Sequence, residues 1–79
     1  MDYVLTEHAQ DALKKRQIHI AWMEQALTAP EVAEADPADA DLERRFAGFG
    51  HRVLRVVVNT RKRPPHVVTM FFDRRRTIP

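Results

Sequence analysis

Arginines that could hold phosphate are concentrated in the second half of this 79-residue sequence. A guanidinium group matches a phosphate with two parallel hydrogen bonds, so clustered arginines are typical of polyanion recognition. Arg55 is the foremost candidate, because it interrupts an apolar segment in which a cation is costly unless it is paired or faces solvent. The rest of the predicted nucleic-acid-binding set is Arg16, Arg44, Arg45, Arg52, Arg61, Lys62, Arg63 and Arg75.

Arg55 and the basic runs also have ordinary structural interpretations. The Arg55 guanidinium could form an ion pair with Asp73, or with a carboxylate from residues 31–34. The runs 61–63 and 74–76 could be solvated surface that keeps the protein soluble. We nevertheless expect neighbouring strands to bring parts of both runs to one edge or end of a sheet, which favours contact with phosphate.

Proton transfer near neutral pH would fall to His8, His51 or His66. His8 lies in the first turn of a predicted helix that Thr6 caps, where the imidazole could act as acid or base, or could tie the helix start to a strand. Arg16 lies two turns later on the same helical face. These two side chains could form an anion pocket, or Arg16 could cap carbonyls at the helix end. The candidate catalytic set is His8, Arg55 and Arg74.

Charge is divided unevenly along the chain. Residues 1–43 carry ten acids and three bases, a balance of −7, whereas residues 44–79 carry ten bases and one acid, a balance of +9. Such asymmetry indicates a surface that faces nucleic acid or another acidic partner. The alternative is that the two halves fold against each other and neutralise one another.

The composition excludes several classes of protein and site. A chain of 79 residues has room for one domain, predicted over 1–79, and the absence of cysteine excludes a disulfide or zinc–cysteine framework. No stretch approaches the roughly 18 apolar residues that span a membrane, and the N-terminus lacks a signal pattern, which predicts a cytoplasmic protein without membrane association. No phosphate-binding loop, dinucleotide fingerprint, nucleophile triad or metal-ligand spacing is present, so we expect no cofactor and no metal.

Two helices are predicted in the first half of the chain. Thr6 is a suitable N-cap for a helix over 7–16, and Pro30 terminates a second helix over 20–28. Only two or three residues join them, so the helices should form an antiparallel or steeply crossed hairpin. Trp22 lies beside the apolar stripe of the second helix and either completes the core or marks a partner surface.

Strand-forming segments fill most of the remaining sequence. The strongest are the β-branched runs 53–58 and 67–72, which a polar, proline-bearing hairpin loop separates. The tail over 75–79 is predicted to be frayed. The predicted strands are 3–5, 31–35, 44–49, 52–59 and 67–72, with an exposed acidic loop over 36–42.

These elements predict an α+β fold with the order β-α-α-β-β-β-β. The helical hairpin packs on one face of a small antiparallel sheet, which gives a two-layer sandwich. The second face is expected to be shallow, partly apolar and rimmed by arginines, and it is the face predicted to meet a partner. The phenylalanines at positions 46, 49, 71 and 72 are interpreted as core residues rather than as platforms for base stacking.

Six strings of residues form a specific combination along the chain. They are Leu5-Thr6-Glu7-His8-Ala9, Arg16-Gln17-Ile18, Pro30-Glu31, Asp36-Pro37-Ala38-Asp39, the segment 52–59 and the segment 67–75. Together they resemble the family catalogued as domain of unknown function 4258. The order of elements is also similar to that of the RelE/ParE-type toxin superfamily, which includes the BrnT-like toxins. The resemblance implies a RelE-like sandwich.

For activity, the resemblance to the toxin superfamily implies cleavage of RNA without a metal. A base activates a ribose 2′-hydroxyl, and cations stabilise the phosphorane-like charge. The implied partners are RNA or the ribosome, and an antitoxin-like protein. Some of these toxins place a tyrosine or lysine near the scissile phosphate on the C-terminal strands. Here the tyrosine is Tyr3, on the first strand, and the lysine of the second half is Lys62, in a loop, so that catalytic set is not carried over.

The sequence therefore predicts a toxin-antitoxin-type toxin that binds or cleaves RNA through an arginine-rich sheet surface. The alternative is a non-catalytic protein-interaction module that pairs with a protein or a second copy through edge strands and opposite-charge surfaces. The first interpretation requires the cationic side chains to converge on one exposed area, rather than to pair individually with carboxylates from residues 31–43.

Overall fold

Residues 2–78 of the chain are described by a computed structural model. They form two helices and five strands, which confirms the α+β class and the predicted order of elements. No helix within these residues is long and apolar enough to cross a membrane. The elements are β1 (Val4–Leu5), α1 (Glu7–Lys15), α2 (Ile20–Thr28), β2 (Val32–Ala35), β3 (Leu42–Phe49), β4 (Arg52–Asn59) and β5 (His66–Phe72).

Thr6 fixes the beginning of α1, as the sequence predicts. Its Oγ1 accepts the N–H of Ala9 at 3.2 Å and donates to the carbonyl of Val68 at 2.9 Å. The first bond satisfies a backbone donor that a helix start otherwise leaves free, and the second joins α1 to β5. One hydroxyl group therefore both starts the helix and attaches it to the sheet.

The end of α1 is a Schellman turn. Gln17 has a φ of +51°, in the left-handed region, and its N–H donates to the carbonyl of Lys14 at 3.3 Å. The N–H of Ile18 donates to the carbonyl of Leu13 at 3.0 Å. This pattern ends α1 abruptly, so α2 begins after only four intervening residues and packs into the same core as α1.

The five strands form one mixed sheet in the order β1-β5-β4-β3-β2. The prediction of an antiparallel sheet is wrong at one edge, because β1 pairs parallel with β5 and aligns Val4 with His66. The helical hairpin carries the chain across the sheet from β1 to β2, and three antiparallel reversals then return it to β1. A strand of two residues has too little alternation for its direction to be predicted from sequence.

The two helices cover one face of the sheet. Alternate residues of the central strands point toward this face. Leu54 and Val58 of β4 are fully buried on this face, together with Met23 and Leu27 of α2. Trp22 is partly buried and packs against the same core, which is one of the two roles that the sequence left open for it. The predicted two-layer arrangement of helices on a sheet is therefore confirmed.

The second face of the sheet is partly covered by the C-terminal tail of the same chain. The guanidinium group of Arg76 lies 4.0 Å from the ring centroid of Phe46 and donates two hydrogen bonds to Glu34, at 2.8 and 3.2 Å. The sequence predicts a frayed tail over 75–79. Residues 75–78 belong to no helix or strand, and Pro79 lies outside the described residues. Part of the face predicted to meet a partner is therefore occupied from within the molecule.

Candidate anion-binding cleft

Several of the predicted site arginines are paired with carboxylates inside the molecule. Arg44 lies on the second face of the sheet, and its Nε donates to Asp36 at 3.3 Å. Arg45 points to the helical side, where its Nε donates to Glu43 at 2.8 Å. The Nη1 of Arg45 also donates to the carbonyl of Leu27 at 2.7 Å, close to the end of α2. Both guanidinium groups thus have partners within the fold.

The carboxylates of these pairs come from the acidic segment, residues 31–43. Arg61 Nε lies 3.3 Å from Asp41 in an exposed pair, and Arg76 is held by Glu34. The two oppositely charged halves of the sequence therefore neutralise each other in part, which is one of the two alternatives that their charges left open. Exposed ion pairs contribute little to stability, but they occupy groups that phosphate would otherwise meet unpaired.

Arg55, the foremost candidate from the sequence, also forms an internal ion pair. Its Nη2 donates to Asp73 at 2.6 Å, and its guanidinium lies between the rings of Phe46 and Phe71, 5.3 and 4.9 Å from their centroids. Burial alone would raise the pKa of Asp73, but the N–H of Arg75 and the Arg55 guanidinium bond to the ionised form and hold the pKa below its ordinary value. Only 21% of the Arg55 side chain is exposed, and its charge is paired with that of Asp73 within the fold.

A second group of cations lines an open cleft at one end of the sheet. Arg16, Arg52 and Arg74 form no ion pair with a carboxylate of residues 2–78. They converge with His51 on a cavity of about 910 Å³, and all four residues are exposed. The other lining residues are Val53, Phe71, Phe72, Asp73, Arg76 and Thr77.

The topology of the sheet explains why these four residues meet. Arg16 is the C-cap of α1, and Arg74 follows the end of β5. His51 lies in the turn after β3, where Gly50 adopts a φ of +65°, and Arg52 begins β4. Because β4 and β5 are antiparallel, the beginning of one lies beside the end of the other. Residues distant in sequence are thus brought to the same end of the sheet.

Arg52 is held against an aromatic ring at the cleft. Its Cζ lies 3.5 Å from the ring centroid of Phe72. The ring of Phe72 meets that of Trp22 edge to face, with centroids 6.1 Å apart, and Trp22 stacks on Phe49 at 4.4 Å. Phe72 packs against the core, as the sequence predicts, and it also lines the cleft. The ring quadrupole therefore orients the Arg52 cation where no described carboxylate does.

The other predicted site residues lie away from this cleft. His8 is exposed in the first turn of α1, about 12 Å along the helix from Arg16, and it does not line the cleft that Arg16 lines. The shared anion pocket that was one alternative for these two residues is therefore not found at the cleft. The loop 61–63 lies at the opposite end of β5, about 20 Å from Arg74. The expectation that the two basic runs meet at one end of the sheet is therefore wrong. Arg75 is exposed but does not line the cleft.

The cleft offers a ligand positive charge and one imidazole. Its unpaired guanidinium groups can each donate two hydrogen bonds to the oxygens of a phosphate. His51 is the one histidine among the described residues that line the cleft. Across residues 2–78, the structure contains no group of three side chains that could hold a metal ion. The arrangement fits an anion with several oxygen acceptors.

His51 is named in the sequence analysis as a possible proton-transfer residue, but it is left out of the candidate catalytic set. A signal for it exists, because His51 follows Gly50 in the tight turn between two predicted strands. Residues of that turn must lie at the same end of an antiparallel sheet as residues that follow β5. The sequence favours His8 for the catalytic set because it lies in the first turn of a predicted helix. That turn is at the end of α1 away from the cleft, since Arg16 at the other end lines the cleft.

One protein family matches most of the chain. Its model covers residues 5–72, a range that contains Arg16, His51 and Arg52 but ends before Arg74. No curated protein and no solved structure matches the chain, so no neighbour confirms the RelE-like assignment. Because the match runs from β1 to the last residue of β5, the chain belongs to the family described as Domain of unknown function (DUF4258).

Proposed function

We propose that this protein binds RNA and that the cleft lined by Arg16, Arg52 and Arg74 receives the phosphate backbone. One observation carries the proposal. These three guanidinium groups converge without a carboxylate partner in residues 2–78, whereas Arg44, Arg45, Arg55, Arg61 and Arg76 are paired with carboxylates within the fold. An unpaired cation in an open cleft can bind phosphate at little cost in free energy, because no internal ion pair has to be broken.

The size of the cleft favours a nucleotide chain over a single small anion. Its volume of about 910 Å³ falls in the range of about 300–1,000 Å³ that is typical of sites for larger organic ligands. One phosphate ion would fill a small part of it. The cleft is open to solvent, so a chain could enter and leave without a large rearrangement. The unpaired guanidinium groups of Arg16, Arg52 and Arg74 give the cleft a local positive charge that attracts such a polyanion.

We further propose that the protein is a RelE-like, toxin-antitoxin-type toxin that acts on RNA in the cytoplasm. In cleavage without a metal, one group takes the proton of a ribose 2′-hydroxyl, and cations stabilise charge on the phosphate. The 2′-oxygen attacks the adjacent phosphorus, the bond from phosphorus to the 5′-oxygen breaks, and the leaving 5′-oxygen receives a proton from the same group or from water. His51 has the first role in this proposal, because it lines the cleft and His8 does not. Arg16 and Arg74 have the second role, since Arg55 is already paired. An antitoxin-like protein would block activity by covering the cleft.

Salt-dependent binding tests the cleft. A labelled single-stranded RNA would be titrated with the wild type, Arg16→Ala and Arg74→Ala at several salt concentrations. Each substitution should lower the affinity about tenfold, because a charge-assisted contact to phosphate is lost. Each should also reduce the slope of log affinity against log salt by about 0.7, the contribution of one neutralised phosphate on a single strand.

Arg63→Ala is the matched control, since it removes the same charge from the loop at the opposite end of the sheet. It should leave the affinity and the salt slope nearly unchanged. Equal losses in all three variants would indicate diffuse attraction to the basic half of the chain. Wild-type affinity and slope in both cleft variants would show that the cleft does not hold phosphate.

Cleavage is tested with His51→Gln. Glutamine can still form hydrogen bonds, but it cannot act as the base that takes a proton from the 2′-hydroxyl. The variant should bind RNA as the wild type does and cleave it at least about 100-fold more slowly. Expression of the wild type alone should arrest growth of a bacterial host, and the variant should relieve the arrest. If the wild type binds RNA without cleaving it, the toxin form of the proposal is wrong and RNA binding remains.

A protein-interaction module is the second candidate, and the open edge of β2 favours it. Within the described residues, β2 is the last strand of the sheet and pairs only with β3. A strand from a protein partner or from a second copy of the chain could extend the sheet there. Sedimentation across protein concentrations tests the second copy. If the wild type forms a dimer and Ala33→Lys dissociates it, the interaction module is supported. If the wild type is a monomer at every concentration, pairing between copies is contradicted.

A further inference from the structure

We infer that Arg52 is a stacking platform for an unpaired nucleobase, so that the cleft selects single-stranded RNA over duplex. This inference rests on the proposed RNA binding and assigns Arg52 a role that differs from those of Arg16 and Arg74. The latter two groups hold phosphate through hydrogen bonds. Arg52 contacts the base through the flat face of its guanidinium.

The geometry of Arg52 supports this division. Its Cζ lies 3.5 Å from the ring centroid of Phe72, which is van der Waals contact between two planar groups. An edge-on guanidinium at this distance would push one of its nitrogens into the ring, so the two planes must lie roughly parallel. One face of the guanidinium therefore covers Phe72 and the other face points away from it. Arg52 is exposed, and no carboxylate of residues 2–78 draws it from the ring.

The support beneath Arg52 is rigid. Phe72 meets the ring of Trp22 edge to face, with an angle of 87° between their planes, and Trp22 stacks on Phe49 with an angle of 2°. These three aromatic side chains pack against the buried core. A base that stacks on Arg52 would therefore extend an ordered aromatic assembly, and little conformational entropy would be lost in arranging it.

A nucleotide has the chemistry that this cleft presents. Bases in single strands stack on aromatic rings and on the planes of arginine side chains, whereas bases inside a duplex are already stacked on each other. Arg16 and Arg74 line the same cleft as Arg52, so base and phosphate contacts are available side by side. A ligand with both groups and an exposed base satisfies all three arginines.

Arg52→Lys separates stacking from charge, because lysine keeps the cation and loses the plane. Three ligands of equal length would be titrated at one salt concentration: a single-stranded RNA, the same ribose-phosphate chain without bases, and a blunt RNA duplex. For the wild type, we expect the single strand to bind tightest. For Arg52→Lys, we expect about a tenfold loss on the single strand, the typical effect of one stacked base, and less than about a twofold change on the chain without bases.

Arg75→Lys is the control, since Arg75 is exposed beside the cleft without lining it. It should change none of the three affinities. If Arg52→Lys weakens the chain without bases as much as the intact strand, Arg52 is a phosphate contact and stacking is wrong, while RNA binding holds. If Arg52→Lys changes neither affinity, Arg52 has no role in binding. Failure of the wild type to bind any of the three ligands would overturn the proposed function and this inference together.

Discussion

Arg55 donates a 2.6 Å hydrogen bond to Asp73, and this pair joins the middle of β4 to the residue that follows β5. The same carboxylate accepts the N–H of Arg75 at 3.0 Å, and the N–H of Asp73 donates to the carbonyl of Val53 at 2.8 Å. Asp73 therefore fixes the point at which the tail leaves the sheet. That point lies beside the cleft, because Asp73 and Val53 both line it.

Asp73→Asn should make the protein less stable and less sensitive to acid. The pKa of Asp73 is held below its ordinary value in the folded protein. The ionised carboxylate therefore stabilises the fold fully above the unfolded-state pKa of about 3.9, and this stabilisation is lost as the pH falls through the lower folded-state pKa. At pH 7 we expect a loss of about 2 kcal/mol in the free energy of unfolding, because Arg55 loses its charged partner. Urea denaturation between pH 2 and pH 7 measures both effects.

The difference between wild type and Asp73→Asn should begin to shrink below about pH 4, the unfolded-state pKa, and should approach zero only below the lower folded-state pKa, where the carboxylate of the native protein becomes protonated. Asp11→Asn is the control, since Asp11 is exposed on α1 and forms no ion pair with residues 2–78. A stability difference that stays constant from pH 7 to pH 2 would show that the ionised form of Asp73 is not what stabilises the fold.

Elements with a strong local signal could be predicted from the sequence, and contacts between distant elements could not. Thr6 is a helix cap in any context, and the β-branched run 53–58 has few structures open to it besides a strand. The partner of Arg55 depends on the register of β4 against β5, which includes a shift between Val57 and Val58. Register is set by packing and turns together, so the sequence left an ion pair with Asp73 as one alternative among several.

The candidate cleft shows the same limit. The sequence placed Arg16 and Arg52 in the nucleic-acid-binding set and Arg74 in the catalytic set, and each set also held arginines that carboxylates neutralise. Pairing is a property of the folded chain, because the acidic partners lie in residues 31–43 while the arginines they meet lie mostly in later strands and loops. The position of Phe72 beneath Arg52 requires the antiparallel pairing of β4 and β5, so the stacked contact had no local signal.

Gln17→Gly should stabilise the protein. Gln17 has a φ of +51°, which brings a Cβ atom close to its own backbone and which glycine adopts freely. After the entropic cost of glycine in the unfolded chain, we expect a gain of about 0.5–1 kcal/mol, or about 4 °C in Tm for a domain of this size. Thermal unfolding followed by circular dichroism measures the shift.

Gly50→Ala is the converse test of left-handed backbone. Gly50 has a φ of +65°, and a Cβ added there would meet no atom within 4 Å, so backbone conformation alone determines the effect. We expect a loss of about 1 kcal/mol in the free energy of unfolding. A Tm that falls with Gln17→Gly, or that rises with Gly50→Ala, would contradict the backbone conformation of the turn concerned.

Thr6→Ala should cost about 1–2 kcal/mol in the free energy of unfolding, because the variant loses the cap on α1 and the bond to the carbonyl of Val68. Thr6→Ser keeps the hydroxyl and should recover most of that loss. Thr28→Ala is the control, since the Thr28 hydroxyl donates to the carbonyl of Glu24 in its own helix and joins no second element. Equal losses for the alanine and serine variants would mean that the methyl group, not the hydroxyl, matters at Thr6.

Arg76→Ala should loosen the tail while leaving the rest of the fold intact. The guanidinium contributes a two-bond ion pair with Glu34 and a contact with the Phe46 ring, both partly exposed, so we expect a loss of about 1 kcal/mol. Amide hydrogen exchange should become faster in residues 74–78 and stay unchanged in β4, because the central strands open only with global unfolding.

Arg75→Ala is the control, since it removes the same charge one position earlier and Arg75 forms no ion pair with residues 2–78. It should change neither the free energy of unfolding nor the exchange rate of the tail. If exchange in residues 74–78 is as fast in the wild type as in Arg76→Ala, the tail is not held on the sheet by Glu34 and Phe46, and the second face is open to solvent after all.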